Sequence, residues 1–144
     1  MIFISHRGNI NGINKKSENR PEYVDKAIEL GYDVEIDIWY VKKKWYLGHD
    51  KPEININLDW IINRNKNLWV HCKNINAIEE LNYLNLFLNK IDINYFFHNN
   101  DDVTLTSKGY IWKFPGIKPI RNSICVMPEK NNEGVKNSIG ICSD

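Results

Sequence analysis

The residues of this chain best equipped for chemistry stand in four short segments. His6 and Arg7 close an apolar run; Glu35 and Asp37 alternate with Val34, Ile36 and Ile38; His49 follows Gly48; and His71 and Lys73 close a second apolar run. A phosphodiester resists attack because its anionic oxygens repel nucleophiles and its alkoxide leaves poorly, so its cleavage needs positive charge and proton transfer. These residue types supply both. Glu35 and Asp37, two residues apart on one strand, point to one face and can share a divalent ion that neutralises a phosphoryl oxygen. His6 and His49 reach the phosphate from different segments, and with unperturbed pKa values near neutrality they suit a base for the attacking hydroxyl and an acid for the departing oxygen.

Arg7 offers a fork and Lys73 a point charge to the nonbridging oxygens. Among the aromatic residues Trp112 is the one expected to stack on a substrate head group, whereas His98, within FFHNNDD, reads as a residue that orders a turn. Taken singly, each of these groups has a plain structural role available to it, and only the ordered set points to a site.

The elements that must position them follow from periodicity. Ile2 to Ser5 reads as a buried strand delivering His6 to its carboxyl end, and Asn9 to Arg20 as a polar loop. Pro21 to Leu30 has helical spacing, with Pro at its first turn and Gly31 as its stop. Tyr32 to Ile38 alternates strictly, with Asp33, Glu35 and Asp37 on one face. Trp39 to Val41 and Trp45 to Leu47 read as a hairpin returning the chain to His49, and Lys51 to Asn57 as a loop. Leu58 to Ile62 suits a short helix capped by Asn57, and Leu68 to Cys72 a buried strand. A capping box at Asn76 and Glu79 opens a helix with the stripe Ala77, Leu81, Leu84 and Leu88. Beyond it, Ile93 to Phe97, Val103 to Thr106, Tyr110 to Trp112, Ser123 to Met127 and Ser138 to Cys142 are short β-type runs. Alternating strands and helices in the first half imply parallel pairing, which gathers the strand carboxyl ends on one side.

HRG at 6 to 8, EN at 18 and 19, G-x-D-x-E-x-D at 31 to 37 and GHD at 48 to 50, in that order, resemble the motifs of the glycerophosphodiester phosphodiesterase family. That family stands with the phosphatidylinositol-specific phospholipase C-like phosphodiesterases, and similar motifs occur in sphingomyelinase D type enzymes. The motif block covers about the first third of the chain. Downstream, LWVHCK at 68 to 73 resembles the family strand ending in Glu-x-Lys, and IGICSD at 139 to 144 resembles its last strand, ending in Thr-Asp.

The resemblance implies a (β/α)8 barrel of the TIM type, a two-histidine site, and a metal-dependent phosphodiesterase acting on a small glycerophosphodiester. The attacking group would be the substrate's own neighbouring hydroxyl, giving a cyclic phosphate. It places Glu18 near the metal as a further ligand candidate beside Glu35, Asp37 and His71, with Asn19 as a partner amide. It also marks two departures. His71 stands where a third metal-binding carboxylate would be; Mg2+ or Ca2+ is the first expectation for the ion, and the imidazole admits Mn2+ or Zn2+. The chain is also shorter than the ~200 to 250 residues usual for such a barrel, so the expected architecture is a reduced α/β barrel with several outer helices missing, one domain spanning 1–144, and a homodimer as one way to cover the bare wall. The alternative is a degenerate barrel that binds a phosphate or head group without turning it over.

Composition bounds the partners. With 19 basic against 18 acidic residues and a net charge of +1, no bulk field draws in nucleic acid or an anionic membrane, so phosphate must be recognised locally. Hydrophobic residues at 42% and charged residues at 26% describe a folding chain. Cys72, Cys125 and Cys142 are odd in number and sit in apolar runs, which suits a reducing compartment; with no apolar run near membrane-spanning length, the expectation is a cytoplasmic protein.

Overall fold

The computed structural model describes residues 1–88, 91–118, 120–131 and 134–144. In chain order the elements are β1 (Ile2–His6), α1 (Pro21–Glu29), β2 (Asp33–Val41), β3 (Lys44–Leu47), β4 (Ile54–Ile56), α2 (Leu58–Ile62), β5 (Leu68–Cys72), α3 (Ile75–Leu86), β6 (Asn94–Phe97), β7 (Val103–Leu105), β8 (Ile111–Lys113), β9 (Ser123–Val126) and β10 (Gly140–Ser143).

All ten strands belong to one sheet. Seven of them, in the spatial order β6, β5, β2, β1, β10, β9, β8, pair in parallel. The hairpin of β2 with β3, the β3–β4 pair and the β7–β8 pair are antiparallel. The expected reduced TIM-type barrel is therefore corrected: the architecture is a curled, mixed half-barrel rather than an alternating β/α barrel. The physical reason lies in the connections. Only three α-helices, of 9, 5 and 12 residues, occur among the described residues, all before β6. Past β6 the strands are three or four residues long, and among the described residues no α-helix lies between them to cover a sheet face.

Three local expectations are also corrected. The cap of α3 is Asn74, whose side chain accepts from the Ala77 amide, two residues before the expected capping box. Leu88 lies past the end of α3 and is exposed, while Ala77, Leu81 and Leu84 are buried as the stripe requires. The Lys51 to Asn57 loop contains β4, paired with β3. Asn57 caps α2 through the Trp60 amide, as its position predicts.

Strand alternation divides the interior in two. Val34, Ile36 and Ile38 of β2 and Leu68, Val70 and Cys72 of β5 face outward, where Val24 and Ala27 of α1, Ile61 of α2 and Ala77, Leu81 and Leu84 of α3 cover them. Inside the curl, Ile4, Trp69, Phe96, Trp112, Ile124 and Cys142 form a second apolar cluster. One step further along the same inward faces, toward the carboxyl ends of the parallel strands, stand His6, Glu35, Asp37, His71 and Asp144. A polar layer thus rests on an apolar floor. Cys72, Cys125 and Cys142 are buried, and no helix among the described residues is long and apolar enough to cross a membrane.

Candidate functional site

The polar layer is assembled along β2. Register sets His6 opposite Glu35 and Asp37 opposite His71, so β1 and β5 deliver one histidine to each side of the acidic strand. The Arg7 amide donates to the Glu35 carbonyl at 2.9 Å and the Gly48 amide to the Asp37 carbonyl at 3.2 Å. Carbonyls two residues apart point to the same strand edge, so the segments bearing His6 and His49 dock side by side on that edge, roughly 7 Å apart along the strand. Trp39 Nε1 also donates to the Gly48 carbonyl at 2.6 Å, tying the return of the hairpin to β2.

Each functional side chain has a definite partner. His6 Nδ1 lies 2.7 Å from Asp144 Oδ1, and its Nε2 lies 3.8 Å from Glu35 Oε2. A carboxylate only accepts, so the proton sits on Nδ1 and Nε2 presents a bare lone pair. Burial, with Arg7 adding to it, lowers the His6 pKa from its usual value, although Asp144 opposes the shift. Asp144 itself is held below the usual carboxylate range: burial pushes it up, but hydrogen bonds from His6 and from Asn9 outweigh that.

Arg7, in the left-handed region at φ 56°, turns back over the carboxylates. Its Nε is 2.9 Å from Asp37 Oδ2, near enough for an ion pair but out of line for a hydrogen bond, and its Nη1 bonds Glu18 Oε2 at 3.2 Å. Glu18 Oε1 accepts from Asn9. Both oxygens of Glu18 are thereby occupied in fixing Arg7 and Asn9. Asn19, also left-handed at φ 59°, clasps Asp37 twice, donating to Oδ2 and accepting from the Asp37 amide, each at 2.9 Å.

On the other side, His71 Nδ1 is 3.2 Å from Asp37 Oδ1 and 3.8 Å from Glu35 Oε1, and Lys73 Nζ is 3.4 Å from Asp37 Oδ1. Two buried carboxylates this close cannot share the same ionisation behaviour. Burial, reinforced by the charge of Asp37, pushes Glu35 up to about 8, against the pull of Arg7 and Lys73. For Asp37 burial acts in the same direction, but His71, Arg7 and Lys73 together overcome it and hold its carboxyl well below the usual range.

Glu35, Asp37 and His71 each offer a ligand atom, all within 4.8 Å of one another, and this is the arrangement that could hold a metal ion. Glu35 Oε2 is buried with no hydrogen-bond partner, an expensive state that a cation would relieve, whereas Asp37 Oδ1 is already met by His71 and Lys73.

His49 stands outside this core. Its Nδ1 pairs with the exposed Asp50 at 2.7 Å, and it lines a cavity of about 290 Å3 together with Arg7, Lys15, Glu18, Asn19, Gly48, Asp50 and Glu53. Arg7 and Glu18 thus link the His49 cavity to the buried carboxylates. Trp112, 5% exposed, sits in the apolar floor with its ring 4.6 Å from Phe96, and Phe96 in turn stacks on His71 at 5.1 Å. His98 faces His71 and Phe114, and both of its ring nitrogens are shielded without a partner.

Sequence reasoning passed over Asp144 and Asn9 as site residues. The signal for Asp144 was the parallel pairing of β10 with β1, which sets Ser143 beside Ser5 and so puts Asp144 beside His6. Asn9 has no local signature. Comparison of the chain with family models, curated proteins and solved structures found no match in any of the three.

Proposed function

We propose that the protein is a metal-dependent phosphodiesterase acting on a small diester of the glycerophosphodiester type. The observation that carries the reading is the pairing, in one buried layer, of a histidine of fixed tautomer with an ion-holding group: His6 Nε2 lies 3.8 Å from Glu35, a member of the Glu35, Asp37 and His71 cluster. The motif resemblance supports the same reading from the sequence.

A divalent ion held by those three residues would supply neutralising charge to a nonbridging phosphoryl oxygen. His6, kept neutral by burial and oriented by Asp144, accepts at Nε2 the proton of the attacking hydroxyl, whether that hydroxyl belongs to the substrate or to water. His49, on the cavity side, gives its proton to the departing alkoxide. Arg7 and Lys73, fixed beside Asp37, add positive charge where the phosphoryl group must sit. The cavity beside His49 receives the rest of the diester.

Turnover of a glycerophosphodiester with added Mg2+, Ca2+ or Mn2+ tests this. Metal-stimulated release of the alcohol is expected, with His6→Ala lowering kcat by about 10²- to 10⁴-fold in protein that remains folded at the assay temperature. No metal stimulation, or a His6→Ala variant as active as the parent, refutes it. One observation favours a second reading, binding of a phosphate or head group without cleavage: Arg7 and Lys73 already neutralise Asp37, which would let the cluster serve as a settled ion-pair network. That reading expects the diester to raise the thermal midpoint with no alcohol released.

A further inference from the structure

The tautomer of His71 bears on which ion the site would accept, a question that rests on the metal-dependent reading above. His71 Nε2 lies 3.2 Å from the main-chain carbonyl of His98. A carbonyl oxygen has no proton to give, so Nε2 carries the hydrogen and donates it. The ring is fixed from below by Phe96, stacked on it at an interplanar angle of 10°. His71 Nδ1 is consequently directed toward Glu35 and Asp37.

A protonated Nδ1 would be expected to use its hydrogen on the nearest oxygen. Asp37 Oδ1, 3.2 Å away, is met by it and by Lys73 only out of line for a hydrogen bond, and Glu35 Oε2 has no hydrogen-bond partner. The nitrogen and the two carboxylates each offer a ligand atom, all within 4.8 Å of one another, with Lys73 and Arg7 placed at the flanks of Asp37. A histidine that donates one ring N–H to a backbone carbonyl while its other nitrogen joins two carboxylates has the outer support typical of a metal-bound imidazole.

We propose that His71 Nδ1 is a direct ligand of the ion, so that this site selects a borderline transition dication of the Mn2+, Co2+ and Zn2+ group over Mg2+ and Ca2+. The chemistry is that of the donor set. Mg2+ and Ca2+ are hard ions that favour oxygen alone, whereas imidazole nitrogen binds the later divalent ions more strongly. Replacing a third carboxylate by His71 shifts the set from three oxygens to two oxygens and a nitrogen.

The test reads binding rather than turnover. The wild-type protein, stripped with chelator, is titrated with Mg2+, Ca2+, Mn2+ and Co2+ while its thermal midpoint is followed, and the Co2+ form is examined by visible absorption and by proton NMR. Mn2+ and Co2+ are expected to raise the midpoint at concentrations at least about tenfold below those needed for Mg2+ or Ca2+. The Co2+ form should show one hyperfine-shifted, exchange-protected imidazole N–H, from Nε2. In His71→Asp, a carboxylate oxygen takes the place of Nδ1 on the same γ carbon, so the variant should lose that resonance and bind Mg2+ or Ca2+ better than Co2+. Mg2+ or Ca2+ binding to the wild type as tightly as Mn2+ and Co2+ overturns the proposal, and so does an ion order unaltered in His71→Asp. Diester cleavage supported by Mg2+ with no dependence on His71 would remove this proposal and leave the activity; Co2+ bound through His71 with no cleavage under any ion would do the reverse.

Discussion

A carboxyl group as enclosed as that of Glu35 makes the protein's stability depend on pH in a direction opposite to the common one. In the unfolded chain the group titrates at its ordinary value of 4.5, and in the folded protein burial and the neighbouring Asp37 push it up to about 8. Between those two values the folded state holds a proton that the unfolded state has lost, so stability falls as pH rises through the window and is fully present only below it. In chelator, Glu35 should therefore pull the thermal midpoint down between about pH 4.5 and about pH 8, against the opposite contribution of His6 and His98, whose pKa values burial lowers, and Glu35→Gln, which cannot ionise, should remove the Glu35 part of the slope. A Glu35→Gln profile parallel to that of the wild type would show that Glu35 is ionised in the metal-free protein. Saturating divalent ion should reverse the slope, because an ion takes the place of the proton and binds the carboxylate alone.

At the scale of elements, the hairpin return matters most, because it brings His49 to the edge of β2. Gly48 has a φ of +146°, and a Cβ built on it would lie 2.2 Å from the Lys51 carbonyl oxygen, a backbone atom that cannot move aside cheaply. Gly48→Ala is expected to cost about 1 to 3 kcal/mol in denaturant unfolding and to lower turnover further by displacing His49 from its cavity. A Gly48→Ala protein with wild-type stability and kcat would mean that the turn relaxes without moving the histidine. This element was legible in the sequence: the alternation around Glu35 and Asp37, the lysines at the turn and the GHD return together specify a strand, a hairpin and its direction. The cap of α3 was not. Asn74 and Asn76 are both competent caps by type, and what selects Asn74 is tertiary, since its side chain also accepts from the Tyr40 amide and donates to the Tyr40 carbonyl. β4 was missed for a similar reason, because Ile54–Ile56 is too short to show a period and owes its conformation to β3. Asp144 is invisible to local reasoning because its partner His6 lies 138 residues away.

At the scale of the molecule, what the sequence withholds is how far the sheet curls. Short β-type runs in the second half specify strands but not the covering that an alternating barrel requires, and the outcome depends on how the two edges of the curl meet. β6 and β7 share no ladder among the described residues, yet β6 is tied to β7 and the residues just after it by main-chain and side-chain hydrogen bonds. The Ser107 amide donates to the Tyr95 carbonyl at 2.7 Å, Ser107 Oγ accepts from the Tyr95 amide and donates to the Ile93 carbonyl, and Thr104 Oγ1 donates to the Phe97 carbonyl. This seam holds β6, and β6 carries Phe96, the ring beneath His71, so closure of the curl and the posture of the candidate ligand are mechanically linked. Ser107→Ala removes the hydroxyl from both of its bonds and leaves the buried Tyr95 amide unsatisfied, which should lower stability by about 1 to 3 kcal/mol. Native-state hydrogen exchange should locate the effect: the Tyr95 amide is expected to exchange faster in the variant, while amides of β2, in the middle of the parallel strands, follow only the change in global stability. Unchanged protection at Tyr95 would mean that the edges are held by the apolar floor rather than by the seam.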